Sequence, residues 1–203
     1  LFQEAYELTA NSPTVDTIFS LCNLSLCNYL IGATSECITK GEEAKFQSIA
    51  LEIHDTQVLG HIELVLGLGY IAAEQWDHAL CANSRAKAAL EAQNDRLGVA
   101  KTLNNMGLIH VETGNYDEGE RLLLESLRVM SEFDDRSTSA YAYTELARLN
   151  LLRGDVAVAL KYGGEALRTL WGNVGLIDKA EVARLCEIFG SITQLTDDRW
   201  RAL

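Results

Sequence analysis

The sequence is nearly free of proline, with Pro13 as the single example among 203 residues. A fold of many strands and turns normally contains more proline and more runs of β-branched residues than this chain has. Hydrophobic residues at 48% and charged residues at 23% are the proportions of an ordinary globular protein. The composition therefore predicts an all-α chain with a packed core.

Positive charge is also scarce. The chain has 17 Lys and Arg residues and 29 Asp and Glu residues, which gives a net charge of −12. A phosphate backbone or an anionic membrane surface is bound by clustered cations, so we expect neither as a partner. No apolar run approaches the ~20 residues that a membrane-spanning helix needs. These shortages favour a protein or peptide segment as the partner.

The five cysteines include no C-x-x-C pair, and zinc sites need four ligands brought together by short loops. Four of them, Cys22, Cys27, Cys37 and Cys81, lie among apolar residues, as buried, reduced thiols do. We therefore predict a reducing compartment, the cytoplasm, and neither a metal nor a cofactor.

Catalytic motifs are missing: the sequence contains no H-E-x-x-H, no G-x-S-x-G and no Walker-type loop. His110 and Glu112 are the one conceivable acid–base pair, but positions two apart on a helix point to different faces. We predict that the chain is not an enzyme and has no catalytic residue.

A spacing of 40 residues organises the chain. Leu66-Gly67, Met106-Gly107 and Leu146-Ala147 are three copies of one large-small pair, and each copy reads as two amphipathic helices. Aspartates at 55, 95, 135 and 178 stand where each first helix should begin and can cap it. The pattern predicts one domain over residues 1–203 with these repeats: 14–53, 55–93, 95–133, 135–171 and a truncated 178–203.

Small residues mark where the paired helices should cross closely. The predicted crossings are at Gly67, Gly107, Ala147 and Gly190. Two further glycine segments leave alternatives open. Gly163-Gly164 favours tight packing over a bend, and residues 171–176 form either a hinge or a loop that a partner touches.

The best copy runs Met106-Gly107-x-x-His110, then Gly114-Asn115-Tyr116, Gly119 and Ser126. This pattern resembles the tetratricopeptide repeat, in which a large-small pair, an aromatic position, a turn and small residues recur. The period of 40 exceeds the family's common ~34 residues and resembles its longer-helix branch. That branch includes bacterial peptide-sensing regulators, signal-relay adaptors and motor light chains. The resemblance implies a right-handed superhelical solenoid of about four to five antiparallel helix pairs.

The resemblance also implies that the first helices line a concave groove. Its apolar end would contain Leu64, Val65, Leu68 and Ile71, and its polar end would bind a peptide. The predicted peptide-binding residues are Lys101, Asn104, Asn105, Tyr141, Glu145, Arg148 and Arg184. Amide side chains can pair with a peptide backbone, and arginine can hold a carboxylate through two bonds. Asn105 alone is weak evidence, since asparagine at its position is common in this family for packing.

Two functions stay open at this point. The chain is either a protein- or peptide-binding module of a bacterial regulator or adaptor, or a repeat domain that holds or gates an attached catalytic or DNA-binding domain, such as that of a peptide-sensing transcription regulator. It begins with Leu1 and ends inside the last copy, so we expect a fragment of a longer protein. An apolar face left uncovered there could instead pair with a second copy, which makes a homodimer possible.

Overall fold

The computed structural model describes residues 2–9, 13–171 and 179–201, and every regular element among them is an α-helix. The helices are α1 (Phe2–Thr9), α2 (Val15–Leu30), α3 (Thr34–Ala50), α4 (Thr56–Ala72), α5 (Trp76–Ala92), α6 (Arg96–Glu112), α7 (Tyr116–Glu132), α8 (Arg136–Leu152), α9 (Val156–Trp171) and α10 (Lys179–Arg201). The predicted all-α fold is confirmed.

From α4 to α9 a new helix begins every 20 residues, so two helices fill each 40-residue copy. Aspartates cap the first helices as predicted. Asp55 Oδ1 accepts a hydrogen bond from the Gln57 amide at 2.7 Å, Asp95 Oδ1 accepts from Gly98 at 2.9 Å, and Asp135 Oδ1 accepts from Thr138 at 3.0 Å. Asp178 lies outside the described residues.

The helix C-termini share one backbone device, a left-handed residue that ends the helix. Gly114 and Gly154 adopt it at φ values of 79° and 80°, as glycine does without cost. Glu52, Glu74 and Asp134 adopt it at φ values of 50°, 56° and 51°. The turn is thus imposed by the packing of the helix pair at positions where the sequence contains no glycine.

The chain divides into two compact units, Leu1–Ile109 and His110–Leu203. In the first unit, Ile18 and Leu21 of α2 pack with Ile62 and Leu66 of α4 in one hydrophobic cluster. All four side chains are buried. The first helices of neighbouring copies therefore share a core.

In the second unit, Leu123 of α7 packs with Leu146 and Leu149 of α8. A second cluster joins Ala147 of α8 to Ala159 of α9 and to Ile188 of α10. In the second unit, helices of one copy therefore pack against helices of the next copy.

The predicted helix crossings have different outcomes. A Cβ on Gly67 would lie 2.5 Å from Asn83 Nδ2 of α5, so this close approach is confirmed. Gly190 is exposed and a Cβ there would meet nothing within 4 Å, so the prediction for Gly190 was wrong. A Cβ on Gly163 would lie 2.9 Å from Phe189 Cζ of α10, and α9 is unbroken there, which supports tight packing over a bend. A Cβ on Gly164 would meet open space.

The last copy also differs from expectation. A first helix followed by the start of a second was predicted, but α10 continues over 23 residues to Arg201. The glycines that predicted a hinge or contact loop after Trp171 lie outside the described residues.

The five cysteines are free thiols, and two of the four that were predicted to be buried are exposed. Cys22 and Cys37 are buried as predicted, but Cys27 and Cys81 are exposed, as is Cys186. The apolar neighbours of Cys27 and Cys81 in the sequence lie on other faces of their helices, because consecutive helical residues point about 100° apart.

We expect three thiols of the native protein to react with a thiol reagent, namely Cys27, Cys81 and Cys186. Burial raises the pKa of Cys22 to about 12 and also raises that of Cys37, so both lack thiolate as well as access. Mass spectrometry after brief native alkylation should place the label on the three exposed sites, and alkylation in denaturant should label all five. Native labelling of Cys22 at the rate of Cys81 would contradict the described core.

Candidate binding face of the first helices

Helix α8 aligns three of the predicted peptide-binding residues, because Tyr141, Glu145 and Arg148 follow one another at spacings of four and three. Their surroundings differ. Tyr141 and Arg148 are half-buried, whereas Glu145 is buried. The α8 face thus consists of an inner carboxylate with a guanidinium one turn further along.

Glu145 is held by two arginines. Its Oε2 accepts hydrogen bonds from Arg148 Nη2 at 2.7 Å and from Arg148 Nε at 2.9 Å. Its Oε1 lies 3.5 Å from Nη1 of Arg184, which α10 contributes. The structure therefore brings Glu145, Arg148 and Arg184 together, and both cations already have an internal carboxylate.

Arg148 has a second carboxylate that sequence reasoning missed. Its Nη2 lies 2.9 Å from Glu112 Oε1 at the end of α6. Burial alone would lower the pKa of Arg148, but the charges and hydrogen bonds of Glu145 and Glu112 raise it overall. Glu112 is 36 positions from Arg148 and lies on another helix, so only the fold of the second unit, to which both residues belong, reveals the pair. We call these four residues, Glu112, Glu145, Arg148 and Arg184, the charged cluster.

The other three predicted binding residues lie on α6 in the first unit. Asn105 Nδ2 donates to Asn83 Oδ1 at 3.1 Å, and Asn83 Nδ2 donates to the Ala79 carbonyl oxygen at 2.9 Å. Asn83 is buried, and sequence reasoning missed it. Its hydrogen bond to Asn105 supports a packing role for Asn105, the alternative to peptide binding that the sequence left open. Asn104 is buried, and its Oδ1 has no hydrogen-bond partner among the described residues. Lys101 is exposed.

The apolar residues predicted for the groove differ in their exposure to solvent. Leu64, Leu68 and Ile71 of α4 are half-buried. Val65 is 3% exposed and belongs to the core of the first unit, so its placement in the groove was wrong. The α4 helix lies between α2 and α5, and its hydrophobic surface is wider than one groove-facing stripe.

Two further kinds of site, a metal site and a membrane span, concern the part of the chain that the structure describes. No group of three or more His, Cys, Asp or Glu side chains there is arranged to hold a metal ion. None of the described helices combines the length and apolarity needed to cross a bilayer. His110 is half-buried, and its Nδ1 has no hydrogen-bond partner among the described residues.

Comparison with solved structures identifies relatives of the fold. BtubC (BKLC) from P. vanneervenii superposes with a TM-score of 0.73 at 20% identity, over 97% of this chain and 80% of that one. The apo form of RapI gives 0.72 at 12% identity, over 99% and 77%. Aspartyl phosphate phosphatase F from Bacillus subtilis gives 0.73 at 13% identity, over 98% of this chain and 54% of that one. At these identities the likeness establishes the fold.

Comparison of sequences gives a narrower result. No curated protein matches the chain significantly. Residues 98–170, which run from α6 to α9, match the tetratricopeptide repeat family. The resemblance drawn from the 40-residue pattern is thereby confirmed over residues 98–170, within an all-helical array of helix pairs.

Proposed function

We propose that this chain is a protein- or peptide-binding module of a bacterial regulator or adaptor, and that its first-helix faces receive an extended segment of the partner. The observation that carries the proposal is the charged cluster, in which a buried carboxylate holds two arginines that remain partly open to solvent on a first-helix face. Glu112 is 35% and Arg184 49% exposed at the side chain, whereas Glu145 beneath them is 4% exposed.

The cluster suggests which ligand chemistry fits. Arg148 and Arg184 are anchored by Glu145, so their guanidinium planes are held before a ligand arrives, which lowers the entropic cost of binding. A carboxylate of the partner would compete with Glu112 for the outer side of Arg148 and approach Arg184 from solvent. A basic side chain would approach Glu112. Both contacts are ionic and near solvent, so binding should weaken as salt is raised.

The alternative function is that the repeats hold or gate an attached catalytic or DNA-binding domain, as in a peptide-sensing transcription regulator. It is supported by the fold shared with aspartyl phosphate phosphatase F, of whose length this chain spans 54%. A protein that combines such repeats with further segments has room for a second activity outside them.

A peptide-display selection on the chain separates these functions. Ligands selected by the native protein should bind an Arg184→Glu variant at least tenfold more weakly, because the outer cation of the cluster is reversed. The matched control is Arg121→Glu on α7, a second helix, where the arginine is 58% exposed and pairs with Glu118 and Glu125 of its own helix.

A Lys101→Glu variant tests the α6 face in the same way. Equal recovery by native protein and both first-helix variants, or loss in the Arg121→Glu control, would contradict binding on the first-helix faces. A selection that yields no ligand at all would favour the alternative function.

A further inference from the structure

The charged cluster is a row in which the sign of the charge alternates. Arg184 Nη1 lies 3.5 Å from Glu145 Oε1, and Arg148 Nη2 lies 2.7 Å from Glu145 Oε2. The same Arg148 atom lies 2.9 Å from Glu112 Oε1. The signs therefore run plus, minus, plus, minus from α10 through α8 to α6, and all four residues belong to the second compact unit. A row of this kind has unlike charges at its two ends.

The two ends of the row are more open to solvent than its centre. The side chains of Arg184 and Glu112 are 49% and 35% exposed, whereas that of Glu145 is 4% exposed. Arg148, at 27% exposure, donates from Nε and Nη2 to Glu145. A ligand can therefore add a contact at each end without breaking the buried pair in the middle. The end at Arg184 attracts an anion, and the end at Glu112 attracts a cation.

We propose that the segment bound at this site carries one acidic and one basic side chain, with the acidic one against Arg184 and the basic one against Glu112. This inference rests on the function proposed above and names the chemistry of the ligand. A segment with acidic side chains alone would meet the Glu112 carboxylate and a chain whose net charge is −12. A segment with basic side chains alone would meet Arg184. Like charges at close range weaken binding, so the site favours the mixed segment.

The length of the row sets the spacing of the two ligand charges. Three contacts separate its ends, and none of them exceeds 3.5 Å. An extended segment advances about 3.3 Å per residue, so a segment laid along the row passes from one end to the other in roughly three residues. We therefore expect the acidic and the basic residue of the ligand to stand about two to four positions apart.

Selection from a library of random peptides by the native chain is the first step of the test. Recovered peptides should contain an acidic and a basic residue at that spacing more often than the unselected library does. One recovered peptide is then synthesised as selected, with Gln in place of its acidic residue, and with Gln in place of its basic residue. Fluorescence anisotropy should show that each Gln form binds about threefold more weakly, the effect of losing one ion pair near the surface.

Two variants of the chain assign each ligand charge to one end of the row. Glu112→Gln should no longer distinguish the selected peptide from its form without the basic residue, but should still distinguish the form without the acidic residue. Arg184→Gln should show the reverse pattern. A folding defect cannot produce this result, because each variant keeps one of the two preferences. Arg121→Gln on α7 is the matched control, since its arginine is 58% exposed and pairs with Glu118, and it should keep both preferences.

The outcomes separate this inference from the function on which it rests. Selected peptides that bind Arg184→Glu more weakly but contain no acid–base pair would overturn the inference and leave the proposed function intact. The same holds if Glu112→Gln and Arg184→Gln lose the same preference, because the two ends would then not recognise different charges. A selection that recovers no peptide would overturn both.

Discussion

Replacing Arg148 with alanine is expected to lower the free energy of unfolding by about 3 kcal/mol, the lower end of the cost of breaking a buried ion pair. The loss arises mainly at Glu145, whose side chain is 4% exposed and takes both of its shortest hydrogen bonds from Arg148. Arg184 remains as a partner at 3.5 Å and limits the cost. Urea denaturation followed by circular dichroism measures the change.

Two further variants show whether the buried carboxylate is the cause. Arg121→Ala removes an arginine whose partners Glu118 and Glu125 are exposed, and it should cost under about 0.5 kcal/mol. Arg148→Met combined with Glu145→Gln removes both charges, and the pair should lose less stability than Arg148→Ala alone. An Arg148→Ala protein as stable as the Arg121→Ala control would contradict the role assigned to Glu145.

The charged cluster also shows how far the sequence alone can lead. Glu145 and Arg148 are three positions apart on a helix that periodicity predicts, so their alignment follows from local geometry. The repeat register predicts that Arg184 lies on the same face, so the sequence was sufficient to select Arg184 as a candidate binding residue. The pairing of these residues with each other was not predictable, because the same face would also form if Arg184 pointed into solvent. Glu112 was missed because its partner lies on another copy of the repeat.

Two signals in the sequence predict where the helices end, namely the residue type and the repeat spacing. Gly114 and Gly154 predict the turns in which they lie, since glycine readily adopts the left-handed conformation that ends a helix. Glu74 occupies the same conformation at φ 56° and has no such preference. The 20-residue spacing of the turns is the signal that finds it, because Glu74 stands 40 residues before Gly114. Repeat register is thus a better guide to this backbone than residue identity.

Substitution of Gly67 by alanine is expected to destabilise the protein by about 2 kcal/mol, although alanine favours a helix by about 1 kcal/mol over glycine. The new Cβ would lie 2.5 Å from Asn83 Nδ2 and 3.0 Å from its Cγ, so the Asn83 side chain would have to move. Asn83 is fully buried and joins the Ala79 carbonyl oxygen to Asn105 Nδ2. Displacing it leaves buried polar groups unpaired at about 1–3 kcal/mol each.

Gly190→Ala is the matched control, because the sequence pattern treats both glycines as helix crossings and the structure separates them. Gly190 lies within α10, is exposed, and has nothing within 4 Å of a Cβ built on it. The same substitution there should add about 1 kcal/mol through helix propensity alone. Chemical denaturation of the two variants should therefore give changes of opposite sign. A Gly67→Ala protein at least as stable as the native protein would contradict the close approach of α4 and α5 at Gly67. A Gly190→Ala protein that loses as much stability as Gly67→Ala would show that the close approach is not the cause of the loss.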